Sequence, residues 1–249
     1  MAEEPTFLRP FVLSPPAREP ERTGQVDTYV PDGDGPFPVV LLVHGGPLPP
    51  ELRPTPRDWP VFQGYAAALA EQGILASVVD HRLYAVPQDD GVLFDYVTAA
   101  ADVAEAVETV RADKRADPAR VVLWFFSGGG LLSAEWLRAA PEWLRGVALT
   151  YPLVVPRADG STDPRFGPVK DVLGEGVELP PILLTRAGLE DPRLAVPLEE
   201  FVAAAGVPME IVDVPNGHHS FDMLDHTEES RAAVRRAIGW VGERLGQPV

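Results

Sequence analysis

The chain has 249 residues, of which 45% are hydrophobic and 23% charged, and it carries a formal net charge of −16. This length and balance predict a single globular domain, residues 1–249, with a sizeable core. The negative charge disfavours binding to nucleic acid or to an anionic membrane surface. The absence of cysteine excludes disulfides, thiol nucleophiles and thiolate metal sites.

The N-terminal segment, residues 1–36, is rich in proline and predicts rigid connections rather than a separate domain. Two edge strands are expected within it, around Phe7–Leu13 and Gln25–Val30. The first residues, Met1-Ala2-Glu3-Glu4, are acidic where a signal peptide is basic. No apolar run reaches the roughly 18 residues that span a bilayer. We therefore expect a cytoplasmic protein.

Beyond this segment, short apolar runs alternate with amphipathic stretches. That alternation predicts a mostly parallel sheet with helices on both faces, a doubly wound α/β fold. Each run is short enough for a strand that is buried on both sides. The six runs are Val39–Val43, Ile74–Val79, Val121–Phe126, Val147–Tyr151, Ile182–Thr185 and Met209–Val214.

Helical periodicity marks the intervening stretches. Apolar residues at helical spacing run from Phe62 to Leu69, ahead of Gly73, and a second stripe runs from Val103 to Val110. The last helix is the clearest, with Thr227 as its cap and an apolar stripe that ends at Leu245.

In a doubly wound sheet, ligands bind beyond the carboxyl ends of the strands. The third apolar run ends in Ser127-Gly128-Gly129-Gly130. A sharp strand-to-helix turn here would expose the Ser127 hydroxyl and place the Gly128 N–H at the positive end of the next helix. A glycine-rich turn with a capping serine is the plainer alternative. A phosphate-binding loop lacks its usual Lys-Ser/Thr.

The first run ends in His44-Gly45-Gly46. Two successive glycine N–H groups can bind a negative oxygen, whereas Pro47 has no N–H to donate. A strand-terminating turn is again the plainer alternative. We expect His44 to be a structural, hydrogen-bonded residue rather than a base.

The last two runs lead to acidic and imidazole side chains. Gly188-Leu189-Glu190-Asp191 follows the fifth run, and Asn216-Gly217-His218-His219 follows the sixth. An imidazole of near-neutral pKa can accept the serine proton, and a carboxylate can fix its tautomer and stabilise the imidazolium.

In this order the motifs resemble those of the α/β-hydrolase superfamily, close to its dienelactone-hydrolase-like and hormone-sensitive-lipase-like serine esterases. The resemblance runs from about Phe37 to the C-terminus. Its motifs are His44-Gly45-Gly46, Asp80-His81-Arg82-Leu83, Ser127 with Gly129, Gly188-x-x-Asp191 and His219-x-Phe221. A dienelactone hydrolase proper would use a cysteine, which this chain lacks.

The resemblance implies a serine hydrolase of small-molecule carboxylic esters that needs no cofactor or metal. Ser127 would be the nucleophile, His219 the base and Asp191 the acid, with an oxyanion hole formed by Gly45, Gly46 and Gly128. His219 is preferred to His218 for its His-x-Phe setting, and Asp191 to Glu190 for its spacing from Gly188. A peptidase or thioesterase would use the same chemistry.

Two positions depart from the family pattern. Phe125 stands two residues before the serine, where a small residue is usual, and Pro47 replaces a third loop glycine. A catalytically silent binding protein with this fold is therefore an alternative. Because side chains alternate along a strand, we expect the Phe125 ring to lie over the core, beside Leu123, and not in the turn.

A metal site is a further alternative, since His218, His219, Asp222 and His226 are suitable ligand types. Such a site would leave the Ser127 loop unexplained. The only segment long enough to cover the site is the insertion at 152–181, with a short helical piece near Val169–Leu173. We therefore expect no large cap domain and a preference for short acyl groups.

Overall fold

A computed structural model describes residues 5–89, 91–155, 164–166, 179–204 and 209–247. Its main feature is one eight-stranded sheet, with a separate two-stranded hairpin. The strands are β1 (Glu21–Thr23), β2 (Val26–Tyr29), β3 (Phe37–Val43), β4 (Leu75–Val79), β5 (Ala85–Gln88), β6 (Gly91–Phe94), β7 (Ala116–Phe126), β8 (Leu144–Thr150), β9 (Ile182–Ala187) and β10 (Met209–Val214).

The strand order is β1-β2-β4-β3-β7-β8-β9-β10. The six strands from β4 to β10 in this order are parallel, and β1 and β2 add an antiparallel edge. All six predicted apolar runs are thus confirmed as the parallel strands. Their carboxyl ends meet along one edge of the sheet, where β3, β7, β9 and β10 each lead into one of the motif loops.

Helices cover both faces of the sheet. They are α1 (Pro60–Glu71), α2 (Tyr96–Arg111), α3 (Ser133–Ala139), α4 (Pro192–Ala204), α5 (Phe221–Leu224) and α6 (Glu228–Leu245). The predicted cap of the last helix is confirmed, because Thr227 Oγ1 accepts the Ser230 N–H at 3.1 Å. Gly246, in the left-handed conformation at φ 72°, ends this helix.

Alternation along the strands divides the core into two layers. On β7, Leu123 and Phe125 pack with α2 and α3, whereas Trp124 and Phe126 face α1 and α6. Phe125 is fully buried beside Leu123, as predicted. The two layers establish the doubly wound arrangement expected from the sequence.

The predicted edge strand Phe7–Leu13 is wrong. Thr6–Leu8 forms a short 3-10 helix, and Phe11 packs its ring against Tyr65 with the centroids 4.6 Å apart. Pro10 supplies no N–H for a ladder, and the Val12 N–H donates to the Asp222 carbonyl at 2.9 Å instead. The second predicted edge strand, Gln25–Val30, corresponds to β2.

The helical piece expected near Val169–Leu173 lies outside the described residues, as does most of the insertion at 152–181. The single domain, the lack of a large cap and the cytoplasmic location stay predictions. Among the helices in the described part of the chain, none is long and apolar enough to cross a membrane.

Candidate active site

Ser127 stands at the sharp turn that joins β7 to a 3-10 helix, Ser127–Leu132. Its φ of 48° lies in the left-handed region, which a residue with a Cβ adopts only under strain. The neighbours Phe126 and Gly128 are buried, while Ser127 stays partly accessible. The turn therefore presents the hydroxyl at the carboxyl edge of the sheet.

The His44-Gly45-Gly46 loop packs directly against this turn. A Cβ added at Gly45 would lie 3.3 Å from Ser127 Oγ, and one added at Gly128 would lie 1.8 Å from the Gly46 carbonyl oxygen. Only glycine permits such an approach of the two backbones. The structure thus brings Gly45, Gly46 and Gly128 together at the Ser127 turn, with Gly45 next to the hydroxyl.

His219 lies between Ser127 and an acid. Its Nε2 is 2.7 Å from Ser127 Oγ, and its Nδ1 is 2.5 Å from Glu190 Oε2. A carboxylate only accepts, so Nδ1 carries the proton and Nε2 is free to accept the serine hydroxyl. The Glu190 side chain is only 6% exposed. This arrangement can withdraw a proton from Ser127 and stabilise the resulting imidazolium.

The acid at His219 is Glu190, where the sequence predicted Asp191. Asp191 turns away: its Oδ2 pairs with Arg193 Nη2 at 2.6 Å, and its Oδ1 accepts the Arg193 N–H at 2.8 Å. This is the geometry of a cap at the start of α4. The Arg193 side chain lowers the pKa of Asp191 to about 2. The backbone N–H of Asp191 donates to Glu190 Oε1 at 2.9 Å, which helps to hold the Glu190 carboxylate.

The other histidines of the last loop are not at this centre. The His218 side chain bonds Asp225, with Nδ1 3.1 Å from Oδ1, and His226 is exposed. Asp222 faces two tyrosines. Across the described ranges, no group of three or more His, Asp or Glu side chains is arranged to hold a metal ion.

His44 supports the loop rather than the reaction. Its Nδ1 donates to the Gly45 carbonyl at 2.5 Å, and its ring stacks on His81 with the centroids 3.7 Å apart. His81 Nε2 in turn donates to the His44 carbonyl at 2.9 Å. Burial lowers the pKa of His44 to about 4, so the ring is neutral near pH 7. The sequence did not reveal this role of His81.

A cavity of about 230 Å³ opens beside Ser127 and His219. Its apolar wall comes from several segments of the chain, and the sequence did not indicate that these residues line a site: Leu48, Trp59, Phe62, Phe126, Tyr151 and Met223. Trp59 is held in place, since its Nε1–H donates to the Pro54 carbonyl at 2.9 Å and its ring stacks on Phe7. The cavity suits a small apolar group attached to a carbonyl carbon at Ser127.

Close to His219 lies a buried carboxylate, Asp222, which the sequence suggested only as a possible metal ligand. Asp222 Oδ2 accepts the hydroxyls of Tyr65, at 3.1 Å, and of Tyr151, at 2.8 Å. Burial raises the pKa of Asp222 to about 6, against the lowering effect of these hydrogen bonds. The Tyr151 ring lies 4.8 Å from the His219 ring, centroid to centroid.

Known proteins with a similar sequence or structure include several esterases. No protein-family model matches the chain. A stretch of 106 residues, 43% of this chain, is 31% identical to Esterase EstD of Thermotoga maritima and spans 25% of that protein's length.

Among solved structures, a thermostable esterase from Pseudomonas putida ECU1011 has a TM-score of 0.69 at 20% identity, covering 94% of this chain and 85% of its own. The butyrate-bound esterase Est2 of Thermogutta terrifontis has a TM-score of 0.65 at 17% identity, covering 92% of this chain and 94% of its own. The same esterase phosphonylated by sarin has a TM-score of 0.68 at 16% identity, covering 95% and 98%. The sheet order, the serine turn and these neighbours together show that the chain has the α/β-hydrolase fold.

Proposed function

We propose that the protein is a serine hydrolase that cleaves small carboxylic esters with short acyl groups. One observation carries the proposal: the Ser127–His219–Glu190 hydrogen-bonded chain lies at the mouth of an apolar cavity. The esterases that share the fold support it, and so does the partial similarity to Esterase EstD.

In the first step, Ser127 Oγ attacks the ester carbonyl carbon while His219 Nε2 takes the hydroxyl proton. Glu190 keeps Nδ1 protonated and stabilises the imidazolium by its negative charge. The carbonyl oxygen becomes an oxyanion, which the backbone N–H of Gly128 and that of Gly45 or Gly46 stabilise.

The tetrahedral intermediate then collapses to the acyl-enzyme. The bond to the alcohol oxygen breaks, and His219 returns its proton to the leaving alkoxide. In the second half-reaction, a water molecule gives a proton to His219 Nε2 while its oxygen attacks the acyl carbon. The bond between the acyl carbon and Ser127 Oγ then breaks, His219 returns the proton to Ser127 Oγ, and the carboxylic acid leaves.

The cavity sets the expected acyl preference. Trp59, Phe62 and Met223 line it, and its volume of about 230 Å³ leaves room for a short chain. Each further methylene that fits gains about 0.8 kcal/mol, whereas one that does not fit has to displace packed aromatic rings. We therefore expect kcat/KM to rise over the first few carbons and then to fall.

The test is a panel of p-nitrophenyl esters of rising acyl length, with peptide and thioester substrates alongside, on the wild type and on Ser127→Ala. The wild type should hydrolyse the short esters, and Ser127→Ala should retain less than about a thousandth of its turnover. A fluorophosphonate probe should label the wild type but not the variant. Hydrolysis that survives in Ser127→Ala would contradict the mechanism.

Phe125 was the reason to consider a catalytically silent protein. Its ring is fully buried in the layer of Leu123, on the α2 side of the sheet, and is not among the residues that line the cavity. The strained φ of Ser127 is reached despite the large residue two positions earlier. No feature of the described turn therefore favours the silent alternative. Absence of both labelling and hydrolysis in the wild type would revive it.

A further inference from the structure

Asp222 is a buried carboxylate that the proposed reaction does not use, although it lies three residues after His219. Its side chain is completely buried and accepts hydrogen bonds from tyrosines on two other elements, Tyr65 on α1 and Tyr151 after β8. A buried charge is costly unless it is paired or hydrogen-bonded, and here the two tyrosine hydroxyls supply the hydrogen bonds.

Tyr151 connects the carboxylate to the reacting groups. Its hydroxyl lies 2.9 Å and 2.8 Å from the two oxygens of Asp222, and its ring packs on His219 and lines the cavity. Its backbone is in the left-handed region, at φ 36°, and its N–H donates to the Thr185 carbonyl at 2.8 Å. A strained residue persists only where its surroundings hold it in place.

The neighbouring backbone binds the serine turn. The Leu153 N–H, two residues after Tyr151, donates to the Ser127 carbonyl at 2.8 Å. Tyr151 therefore packs against the imidazole ring and is connected to the serine turn through the backbone of Leu153, and Asp222 is the partner that fixes its hydroxyl.

We propose that Asp222 is a positioning residue that acts on His219 through Tyr151. The proposal deepens the serine hydrolase assignment and rests on it. The Tyr151 ring limits the His219 ring to the orientation in which Nε2 faces Ser127. The Asp222 charge also favours the imidazolium that forms during the reaction. Misplacement of a reacting group by about 1 Å is enough to cost about 100-fold in rate.

The charged and titratable groups around the pair come from several elements. His219 faces Glu190 from the loop after β9 and Tyr151 from the end of β8. Asp222 faces Tyr65 and Tyr151 and interacts electrostatically with His219. With the Asp222 charge removed, Glu190 remains as the carboxylate that stabilises the imidazolium.

Tyr65 offers a matched control. Tyr65→Phe and Tyr151→Phe each remove one tyrosine hydroxyl from the same carboxylate, but only Tyr151 contacts His219. We expect Tyr151→Phe and Asp222→Asn to lower kcat/KM for a short p-nitrophenyl ester about 10- to 100-fold, and Tyr65→Phe to stay within about twofold of the wild type. Thermal unfolding should show all three variants folded.

Two further measurements distinguish an effect of Asp222 on the position of His219 from a general loss of protein stability. Above its pKa of about 6 the Asp222 carboxylate is negative and favours the imidazolium, so in Asp222→Asn the acid limb of the pH profile of kcat/KM should move to lower pH. In proton NMR of the free protein, the His219 Nδ1–H resonance should change in Tyr151→Phe and stay as in the wild type in Tyr65→Phe. This measurement needs no substrate, so it tests the proposal even if ester hydrolysis fails.

Equal losses of activity in Tyr65→Phe and Tyr151→Phe, with equal changes in the NMR resonance, would overturn the proposal, because the network would then act only on stability. A wild-type resonance in Tyr151→Phe would overturn it as well. A wild type that hydrolyses no ester would instead refute the proposed function.

Discussion

The assignment of the acid can be tested with two neighbouring substitutions. Glu190→Gln replaces the carboxylate that lies 2.5 Å from His219 Nδ1, and Asp191→Asn changes the residue next to it. Both substitutions keep the size of the side chain. Asparagine also caps helices as well as aspartate does, so Asp191→Asn leaves the start of α4 intact.

The expected loss follows from the imidazolium that forms when Ser127 attacks. Two unit charges about 4 Å apart interact by about 4 kcal/mol at the effective dielectric constant of about 20 found near protein surfaces. The Glu190 side chain is 6% exposed, so little screening by water is expected. A loss of about 4 kcal/mol from the transition state corresponds to about a 10³-fold lower kcat.

The assay is steady-state hydrolysis of a short p-nitrophenyl ester at pH 8, with thermal unfolding to confirm that each variant is folded. Glu190→Gln should lower kcat about 10³-fold with a small change in KM, whereas Asp191→Asn should stay within about twofold of the wild type. The reverse result, with Asp191→Asn the damaging change, would mean that the loop rearranges during catalysis and that Asp191 is the acid.

Three other substitutions test the environment of the site. Gly128→Ala should abolish hydrolysis, because its Cβ would lie 1.8 Å from the Gly46 carbonyl oxygen; the same ester assay measures this. Phe125→Gly should lower the free energy of unfolding by about 3–5 kcal/mol in urea titrations, while a fluorophosphonate still labels Ser127. Burial raises the pKa of Asp222 to about 6, so the folded protein binds a proton there that the unfolded chain releases near pH 4. The wild type should therefore lose about 3 kcal/mol of stability relative to Asp222→Asn as pH rises from about 3 to about 7, most steeply between about 4 and 6, as measured by urea unfolding at each pH.

The sheet could be predicted because most of its parallel strands are buried on both faces and are largely apolar. Strands without that signal were missed. β1 (Glu21–Thr23) is exposed at every residue, and the β5–β6 hairpin contains Pro87 and is mostly exposed. Helix α4 was missed too, and its interior Pro197 disfavours a helix on propensity alone.

The loops that carry the site were also predictable, since each follows a strong strand signal at the carboxyl edge of a parallel sheet. The cavity wall was not. Trp59 and Met223 lie far apart in the sequence, and only the packing of α1 and α5 brings them to Ser127. The Asp222 network likewise joins three elements whose contacts no local pattern encodes.

The residue preferences at the start of a helix explain why Glu190, and not Asp191, contacts His219. Proline is favoured as the first residue of a helix, and the residue before it then serves as the cap. With Pro192 beginning α4, Asp191 binds the Arg193 N–H and its side chain turns toward the helix. The imidazole must then be reached from the preceding position, where the longer side chain of Glu190 spans the gap and receives the Asp191 N–H on its other oxygen. The pair Asp191-Pro192 therefore indicates, from the sequence alone, that Asp191 caps α4. Glu190 is then the carboxylate that can contact His219.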